Sequence, residues 1–517
     1  MAVVYGNLTR KALVLGLLSA AAVLVVCGAW LAARAYRPAA LKGRIAAYLS
    51  DQLESDVTLD SLEGQFFPRI ALSGGGLVVR DRRRTGVPPL ITIRHFEIRA
   101  SLRALMKLPR HVSEVRTEGL EVNIAPGDDH ETQPDRPRGP EVVIDRLEAP
   151  DTTLTLIPKR SDKPPKIFTI HHLVMESVGR GHIVPYIAVL TNPVPKGGIE
   201  ASGALGPWNI ASPARTPVTG KYTFVNADLS TIDGLSGMLS SQGTFDGQIN
   251  RIHVQGATDT PKFQVDAGGQ PVPLKTQFTA TVDGSNGDTF LDRVDANFLS
   301  TELTANGAVV GIRGAPGRRV ELDVSIAKGR IEDVLRLAVN SPQPILRGGI
   351  RLQARLVIPP EKARVLDKMS VRGAFGLSEA RFTDPSVQTK IAGLSRHGQG
   401  IGDGEPVGDV VSDLKGRFAV EHAEATFPEL TFAVPGAAVD LAGRYGLRSG
   451  DLDFHGHLRM QATLSKAAGG GLKSFFLKAV DPFFKKGGSG TVLPIKIGGT
   501  RKDPKVGLEL FGKDSKK

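Results

Sequence analysis

The sequence predicts a mainly β fold, in which an N-terminal transmembrane helix precedes an elongated antiparallel β-sheet with a few short helices. Glycine and proline, 59 and 34 of the 517 residues, favour many short strands joined by turns, because glycine permits positive φ and proline presets turn geometry. Apolar and polar residues alternate along most of the chain, as in strands with one buried face. Helical spacing is confined to short stretches, which excludes the alternating strand and helix pattern of doubly wound enzymes.

Residues 1–38 contain the predicted membrane anchor. The stretch Ala12–Ala33 carries no charge over 22 residues, and at about 1.5 Å per residue it spans roughly 33 Å, close to the hydrocarbon thickness of a bilayer. A cleaved signal peptide is the alternative, but its apolar region is usually shorter, so an uncleaved anchor is favoured. No second stretch of this kind follows, so the remaining chain is expected on one side of the membrane. The residues assigned to the anchor are Leu13, Leu17, Val23, Val26 and Trp30.

Residues 39–125 are predicted to form a block of one helix and several strands. Apolar residues recur every four positions from Leu41 to Leu53, which predicts an amphipathic helix over residues 39–54. From Val57 onward the period changes to two, which predicts strands. A short helical turn is expected over Ser101–Lys107. Residues 126–140, rich in proline, aspartate and arginine, are predicted to form an exposed loop.

Residues 141–460 are predicted to form the long β region. Short helices are expected at 228–239 and 330–339, and the glycine-rich residues 397–408 are expected to form a flexible loop. Residues 461–517 form the last predicted domain, a closing block with one amphipathic helix and a basic tail.

Two internal echoes suggest repeated strand modules. Residues 252–265 match residues 495–508 in the positions of their apolar, glycine and proline residues, and both are predicted to form two strands joined by a glycine turn. A looser echo pairs residues 245–249 with residues 346–350, each expected after a short helix. An elongated sheet built from repeated units would have this pattern.

The last predicted helix is amphipathic and basic. Its apolar residues follow helical spacing, and lysines 473, 478, 485 and 486 flank them. Such a helix can lie at a membrane interface or dock a partner, and the alternative is that it caps the end of the sheet. The apolar residues of this candidate helix are Leu472, Phe475, Phe476, Ala479 and Val480.

The sequence predicts no catalytic residue, no metal ligand, no cofactor and hence no enzyme. Cys27 is the one cysteine, so disulfides within the chain and cysteine metal clusters are excluded. His455 and His457 would share a strand face, but an ordinary exposed pair is favoured over a metal site. Ser412 and Lys415 match a bare Ser-x-x-Lys pattern without the accompanying motifs of that enzyme class. The net charge of +12 is interleaved with acids, and no nucleic-acid partner is predicted.

The two ends of this chain resemble the AsmA family of bacterial envelope proteins. The opening resemblance runs from the anchor through residues 57–70, Val-Thr-Leu-Asp-Ser-Leu-Glu-Gly-Gln-Phe-Phe-Pro-Arg-Ile, and residues 102–121. The closing resemblance comprises Asp-Pro-Phe-Phe at 481–484, Leu-Pro-Ile-Lys-Ile-Gly-Gly-Thr at 493–500 and Asp-Pro-Lys at 503–505. The order of anchor, helix, strand block, long β region and closing block is similar to that of the family.

The resemblance implies a single-pass protein of the bacterial inner (plasma) membrane with its bulk in the periplasm. It implies a curved, taco-like β groove with an apolar interior, and a role in phospholipid transport, outer-membrane biogenesis and homeostasis. Acyl chains suit such a groove, since each buried methylene contributes about 0.8 kcal/mol and needs no directional partner. The expected partners are a phospholipid membrane and outer-membrane or envelope proteins, and the oligomeric state stays open. The alternatives are a scaffold that regulates outer-membrane protein targeting or assembly without carrying lipid, and a hydrolase whose site is assembled from distant residues.

Overall fold

The structure is a computed structural model of the 517-residue chain. It describes residues 42–50 except 44 and 48, 55–65, 69–81, 88–124, 142–156, 166–179, 181–209, 215–265, 269–401 except 285, 313, 316 and 340–342, 410–462, and 491–508 except 502. The predicted anchor Ala12–Ala33, the predicted loop 126–140 and the predicted helix 472–480 lie outside the described residues. Among the residues that are described, no helix combines the length and the hydropathy that a membrane span requires.

The described part of the chain is mainly β, with 26 strands and a few short helices. The elements in chain order are β1 Ser55–Thr58, β2 Ser61–Gln65, β3 Ile70–Asp81, β4 Ile91–Ala100, α1 Leu102–Leu105, β5 Arg110–Ile124, β6 Val142–Glu148, β7 Thr152–Leu156, β8 Lys166–Gly179, β9 Val184–Pro193, β10 Lys196–Leu205, β11 Pro217–Asp228, β12 Leu235–Ser236, β13 Met238–Gln248, β14 Arg251–Val265, β15 Val272–Val282, β16 Thr289–Phe298, β17 Thr301–Gly311, β18 Arg318–Arg330, α2 Ile331–Ala338, β19 Leu346–Ile358, α3 Val365–Lys368, β20 Ser370–Phe382, α4 Pro385–Gln399, β21 Ser412–Glu421, β22 Glu424–Val434, β23 Ala437–Gly446, β24 Leu452–Met460, β25 Thr491–Thr500 and β26 Asp503–Leu508.

The chain divides into two compact units. The first comprises Met1–Ile232, Met238–Thr258 and Thr279–Thr289, and the second comprises Asp233–Gly237, Asp259–Phe278 and Phe290–Lys517.

The sheet of the first unit is mixed, which corrects the prediction of a purely antiparallel sheet. Strands β1 and β2 pair antiparallel with β3, and β3, β4 and β5 continue antiparallel. The 15-residue strand β5 then pairs in parallel with β6 at one end and with β7 at the other. Strands β8, β9, β10, β11 and β13 follow in antiparallel order. The 17 residues between Ile124 and Val142 are long enough for the crossover that parallel pairing requires.

The core of the first unit joins the N-terminal helix to the first strands. The described residues between 42 and 50 are helical, as the four-residue apolar spacing predicts. Ile45 and Leu49 on this helix are each 1% exposed. They share one hydrophobic core with Leu105 of α1 and with strand residues that include Leu72, Phe96, Ile98, Val112, Val115 and Ile144.

The second unit contains an antiparallel series from β17 to β26, in which each strand pairs with the next. Two hydrophobic clusters form in it. The α2 cluster contains Ile326, Ile331, Leu346, Ile350, Leu377 and Ala380, with Leu303, Val334, Leu335, Leu352, Phe375, Phe382 and Leu414 packed against them. The α4 cluster contains Val410, Val434, Ala437, Val439, Leu458, Met460, Leu493 and Ile495, with Ile391, Ala392, Leu394, Phe432, Leu441 and Ala462 packed against them.

The predicted helix over 228–239 is wrong. The chain forms a single 3-10 turn, Leu229–Thr231, and then enters β12 and β13. Asp228 caps the turn by accepting a hydrogen bond from the Ser230 backbone N–H at 2.9 Å. Gly234 and Gly237 have φ of +88° and +124°, a backbone conformation that a right-handed helix does not contain.

The helix α4 is absent from the sequence prediction, and its last residues replace the start of the predicted loop 397–408. Asp384 caps its N-terminus through the backbone N–H groups of Ser386 and Val387, and Pro385 occupies the first turn. Gly400 ends it in a left-handed conformation with φ of +74°. Residues 402–409 of the predicted loop lie outside the described residues.

The repeated-module interpretation is also wrong for residues 252–265. These residues lie within one continuous strand, β14, whereas residues 495–508 form β25, a turn and β26. The β-branched Thr258 and Thr260 favour the continued strand, while Gly499 adopts φ of +88° before the turn. The looser echo places Gly247 near the end of β13 and Gly348 near the start of β19, so the two segments occupy different positions in their strands.

Candidate apolar binding face

One face of the second unit is apolar across eight consecutive strands, β18 to β25. Alternate residues of each strand point to this face, and the strand register aligns them in rows that cross the sheet. Two of these rows have different surroundings. The covered row consists of Ile350, Leu377, Leu414, Phe432, Val439, Leu458 and Leu493. The open row consists of Leu322, Leu356, Val371, Val420, Ala425, Tyr445 and Leu452.

The covered row is packed beneath the helices of this unit. Every member belongs to the α2 cluster or to the α4 cluster. Helix α4 is held in place by polar contacts, since Ser395 Oγ donates to the Pro435 carbonyl and Gln388 Nε2 donates to the Val410 carbonyl, each at 2.8 Å. A Cβ at Gly398 would stand 2.6 Å from the Gly436 carbonyl oxygen, so this glycine permits the close approach of helix and strand turn.

The open row is not packed in this way. All of its members except Ala425 are only half-buried. Among the residues that the structure describes, no member of the open row belongs to either cluster of this unit. The same sheet face is therefore closed by helices along one row and accessible along another.

Aromatic rings lie against glycines of the neighbouring strand in both units. In the second unit, a Cβ at Gly443 would stand 2.8 Å from Cδ1 of Phe454. In the first unit, a Cβ at Gly220 would stand 2.7 Å from Cζ of Phe245. Each ring thus fills the space that the missing side chain leaves, an arrangement that protects strand glycines. Each of these two glycines is therefore covered by an apolar ring.

The opposite face of the second unit is polar. An open depression of about 370 Å³ is lined by Thr304, Asn306, Asp323, Val324, Ser325, Gln353, Ala354, Arg355 and Arg372. Arg355 pairs with Glu321 at 2.9 Å and Arg372 pairs with Glu421 at 2.8 Å. The hydrogen bond from Arg372 lowers the pKa of the Glu421 carboxyl below its usual value. The two faces therefore present different chemistry to solvent.

Two half-buried tyrosines of the first unit, Tyr186 in β9 and Tyr222 in β11, have perturbed phenols. Burial raises the pKa of the Tyr186 and Tyr222 phenols above the usual value. The Tyr222 hydroxyl also lies 3.1 Å from Ser241 Oγ, and that hydrogen bond lowers the pKa in part. The phenol rings are thus half-buried while their hydroxyl groups keep a polar partner or solvent within reach.

Alkaline titration should detect the raised pKa of Tyr222, which is half-buried. Because burial raises the folded-state pKa of Tyr222, its contribution to stability is present below the unfolded pKa and is lost as pH rises through the folded pKa. We expect tyrosinate absorbance to show that Tyr222→Phe removes one phenol, and that this phenol ionises at a higher pH than a free tyrosine. Ser241→Ala should raise this pKa further, since it removes the hydrogen bond. A lost phenol that ionises at the pKa of a free tyrosine, together with an unchanged curve for Ser241→Ala, would contradict the assignment.

The structure separates the residues of the bare Ser-x-x-Lys pattern. Ser412 is 1% exposed and faces the α4 side of β21, and its hydroxyl has no hydrogen-bond partner among the described residues. Lys415 is three residues further along the strand, exposed on the opposite face. These two side chains cannot act on one substrate atom, so the pattern is no longer a nucleophile and base candidate.

The histidine pair lies where the strand period predicts. His455 and His457 occupy the same face of β24, and His455 Nε2 lies 3.1 Å from Asp453 Oδ1. Within the described ranges, no group of three histidine, cysteine, aspartate or glutamate residues could hold a metal ion.

The residues assigned to the anchor and to the closing helix lie outside the described residues, so those assignments stay predictions. Sequence reasoning missed the division of one apolar face into a covered and an open row. The covering helix α4 could have been predicted from the sequence, because Asp384-Pro385 and Gly400 mark its two ends.

Comparison of the chain with protein-family models, with curated proteins and with solved structures finds no match. The resemblance to the AsmA family therefore stays an expectation that depends on the motifs at the two ends of the chain.

Proposed function

We propose that this protein is a membrane-anchored, lipid-binding and lipid-transport protein that supports outer-membrane biogenesis and homeostasis. In this proposal the chain is anchored once in the inner membrane and its bulk lies in the periplasm. The open row carries the proposal, because it offers half-buried apolar side chains along a direction that crosses seven strands.

The dimensions and chemistry of the open row suit acyl chains. Seven strands about 4.8 Å apart give a row roughly 29 Å long, which exceeds the thickness of about 15 Å for one leaflet of a bilayer hydrocarbon core. The row contains no charged side chain, and each methylene removed from water there contributes about 0.8 kcal/mol. The polar headgroup would remain in solvent, because the apolar side chains of the row offer it no polar partner.

A second candidate function is a scaffold that regulates outer-membrane protein targeting or assembly without carrying lipid. The polar face favours it, because the depression beside Arg355 and Arg372 offers exposed guanidinium groups to a protein partner. Guanidinium groups are common anchors in protein interfaces. Under this alternative, substitutions on the apolar face that keep the fold would be tolerated.

Photo-crosslinking in cells distinguishes the two functions. A benzoylphenylalanine residue at Leu356, on the open row, should form adducts whose mass equals that of a phospholipid. The same residue at Gln353, three positions earlier on the polar face of β19, is the matched control and should form few or none. Equal lipid labelling at both positions, or none at either, would sink the lipid proposal and make the scaffold the leading account.

A charged substitution supplies the second arm of this experiment. Leu322 is paired with Leu356 in the strand register. Leu322→Asp should therefore remove most of the lipid adduct at Leu356. The aspartate carboxylate must stay hydrated, and its water would occupy the place of the acyl chain. Gln353→Asp adds the same charge on the polar face and should leave the adduct yield unchanged. Circular dichroism and the melting curve of both variants establish that the second unit still folds.

A further inference from the structure

A short segment of the first unit, between β4 and β5, exposes apolar side chains. The tip segment, defined as residues 101–110, contains α1 and the turn that leads into β5. The side chains of Leu102, Met106 and Leu108 are 48%, 80% and 78% exposed. The last two values are far above those of the apolar strand residues in the same unit, most of which are buried or half-buried. Three such side chains within seven residues form a short exposed apolar stretch.

The tip segment is held firmly by its own contacts. The Ser101 hydroxyl accepts a hydrogen bond from the Ala104 backbone N–H at 3.1 Å, which caps α1. Leu105 points inward, is 7% exposed and belongs to the core that also holds Ile45 and Leu49. The exposed side chains therefore project from a fixed base.

The charge of the tip segment is wholly positive. It contains Arg103, Lys107 and Arg110 and no acidic residue. The acids nearest in the strands on either side are engaged elsewhere. Glu97 and Glu114 contact Arg99 at 3.1 and 2.9 Å, and Asp145 contacts His111 at 2.7 Å. The tip segment thus presents cations beside apolar side chains, which complements a surface with anions above a hydrocarbon layer.

We propose that the tip segment is a docking surface for an anionic lipid bilayer. Leu102, Met106 and Leu108 enter the boundary between headgroups and acyl chains, and Arg103 and Lys107 contact lipid phosphates. The tip segment would attach the first unit to a bilayer whether or not the open row binds acyl chains. It adds a second, superficial membrane contact to the predicted anchor.

The position of the tip segment in the chain supports a bilayer as the occupant. The N-terminal helix begins within nine residues of the end of the predicted anchor at Ala33, and nine extended residues reach at most about 32 Å. Because that helix shares its core with Leu105, the tip segment is tied to the part of the chain nearest the predicted anchor. The alternation of single apolar residues with cations also suits a fluid interface, whereas a protein partner usually meets a contiguous apolar patch with a polar rim.

Depth-dependent quenching tests the proposal on the full chain. In a Cys27→Ser background, Met106→Cys is labelled with an environment-sensitive fluorophore, and the protein is reconstituted into vesicles of equal parts phosphatidylglycerol and phosphatidylcholine. We expect a blue shift of the emission and strong quenching by lipids brominated on their acyl chains. Glu118→Cys is the control position, because it is exposed in β5 and lies eight residues along that strand from Arg110, the last residue of the tip segment, a distance of about 26 Å. Its label should be neither shifted nor quenched.

Two further variants separate charge from apolar insertion. Arg103→Glu with Lys107→Glu should abolish the quenching at position 106 in anionic vesicles, and vesicles of phosphatidylcholine alone should weaken it in the parent chain. Leu102→Ser with Leu108→Ser should reduce the quenching without changing the melting curve, since both side chains are exposed.

Two results would overturn the docking proposal. A label at position 106 that is as unquenched as the one at position 118 would overturn the proposal. So would protection of position 106 in intact cells but not in vesicles, which would identify a protein partner instead. Lipid adducts at Leu356 are measured separately, so failure at the tip segment and failure of the lipid-binding function are distinguishable.

Discussion

Replacing Ile98 with alanine should destabilise the first unit by about 2–5 kcal/mol, the range for removing a large aliphatic side chain from a packed core. Ile98 is fully buried in β4, between Leu72 of β3 and Val115 of β5, which are each 2% exposed. Its truncation leaves a cavity that strands on both sides must collapse to fill. Chemical denaturation of a Trp30→Phe background, followed by the fluorescence of Trp208, measures the loss in this unit.

The neighbouring residue supplies the control for this prediction. Glu97 points to the opposite, solvent-facing side of β4, where it pairs with Arg99 at 3.1 Å. An exposed ion pair contributes about 0–1 kcal/mol, so Glu97→Ala should shift the denaturation midpoint far less than Ile98→Ala. Similar losses in the two variants would contradict the assignment of the buried and exposed faces of this strand.

The consequences of the Ile98 substitution also bear on the tip segment. Ile98 lies in the same core as Leu105, which holds α1 in place. A weakened core should therefore loosen the base of the tip segment, and quenching at position 106 should fall in proportion to the fraction of the unit that is unfolded. The exposed-residue variants of the tip segment predict loss of quenching with stability intact. The two kinds of loss have different denaturation curves, so they can be told apart.

Features that depend on local periodicity were predictable from the sequence. Alternation of apolar and polar residues predicts the strands, and the buried side of β4 follows directly from that alternation. Four-residue spacing predicts the helix that holds Ile45 and Leu49, and the short helix expected at 330–339 is confirmed as α2, Ile331–Ala338. In each case the signal lies within one segment and is set by which face that segment buries.

Features that depend on contacts between distant segments were not predictable in the same way. The parallel pairing of β5 with β6 and β7 is fixed by where the chain returns after residue 124, and alternation carries no information about strand direction. The predicted helix over 228–239 failed for a different reason, because Gly234 and Gly237 adopt a positive φ that a right-handed helix does not contain. The echo between residues 252–265 and 495–508 failed because equal apolar patterns can belong to one long strand or to two short ones.

The candidate site shows the same division. Alternation predicts that one side of strands β18 to β25 is apolar, yet it gives no indication of which row a helix covers. Helices α2 and α4 decide this by packing over the covered row, and the open row is what they leave. The apolar pattern indicated a buried face, and the position of the helices limits where a ligand could reach it.

Gly456→Ala should destabilise the pairing of β23 and β24 in the second unit by about 1–3 kcal/mol, the usual cost of forcing an extra group into a packed structure. A Cβ at Gly456 would collide with the carbonyl oxygen of Asp440, and backbone atoms cannot rotate away as a side chain can. Because 1.4 kcal/mol corresponds to a factor of about ten, a loss of about 1–3 kcal/mol should accelerate amide hydrogen exchange in these strands by about 5- to 140-fold. Gly376→Ala in β20 is the matched control, since a Cβ there meets no atom within 4 Å, and it should be neutral or stabilise by up to about 1 kcal/mol. Equal stability of the Gly456→Ala and Gly376→Ala variants would contradict the close approach of β23 and β24 at Gly456. It would also contradict the register that aligns the open row across these two strands.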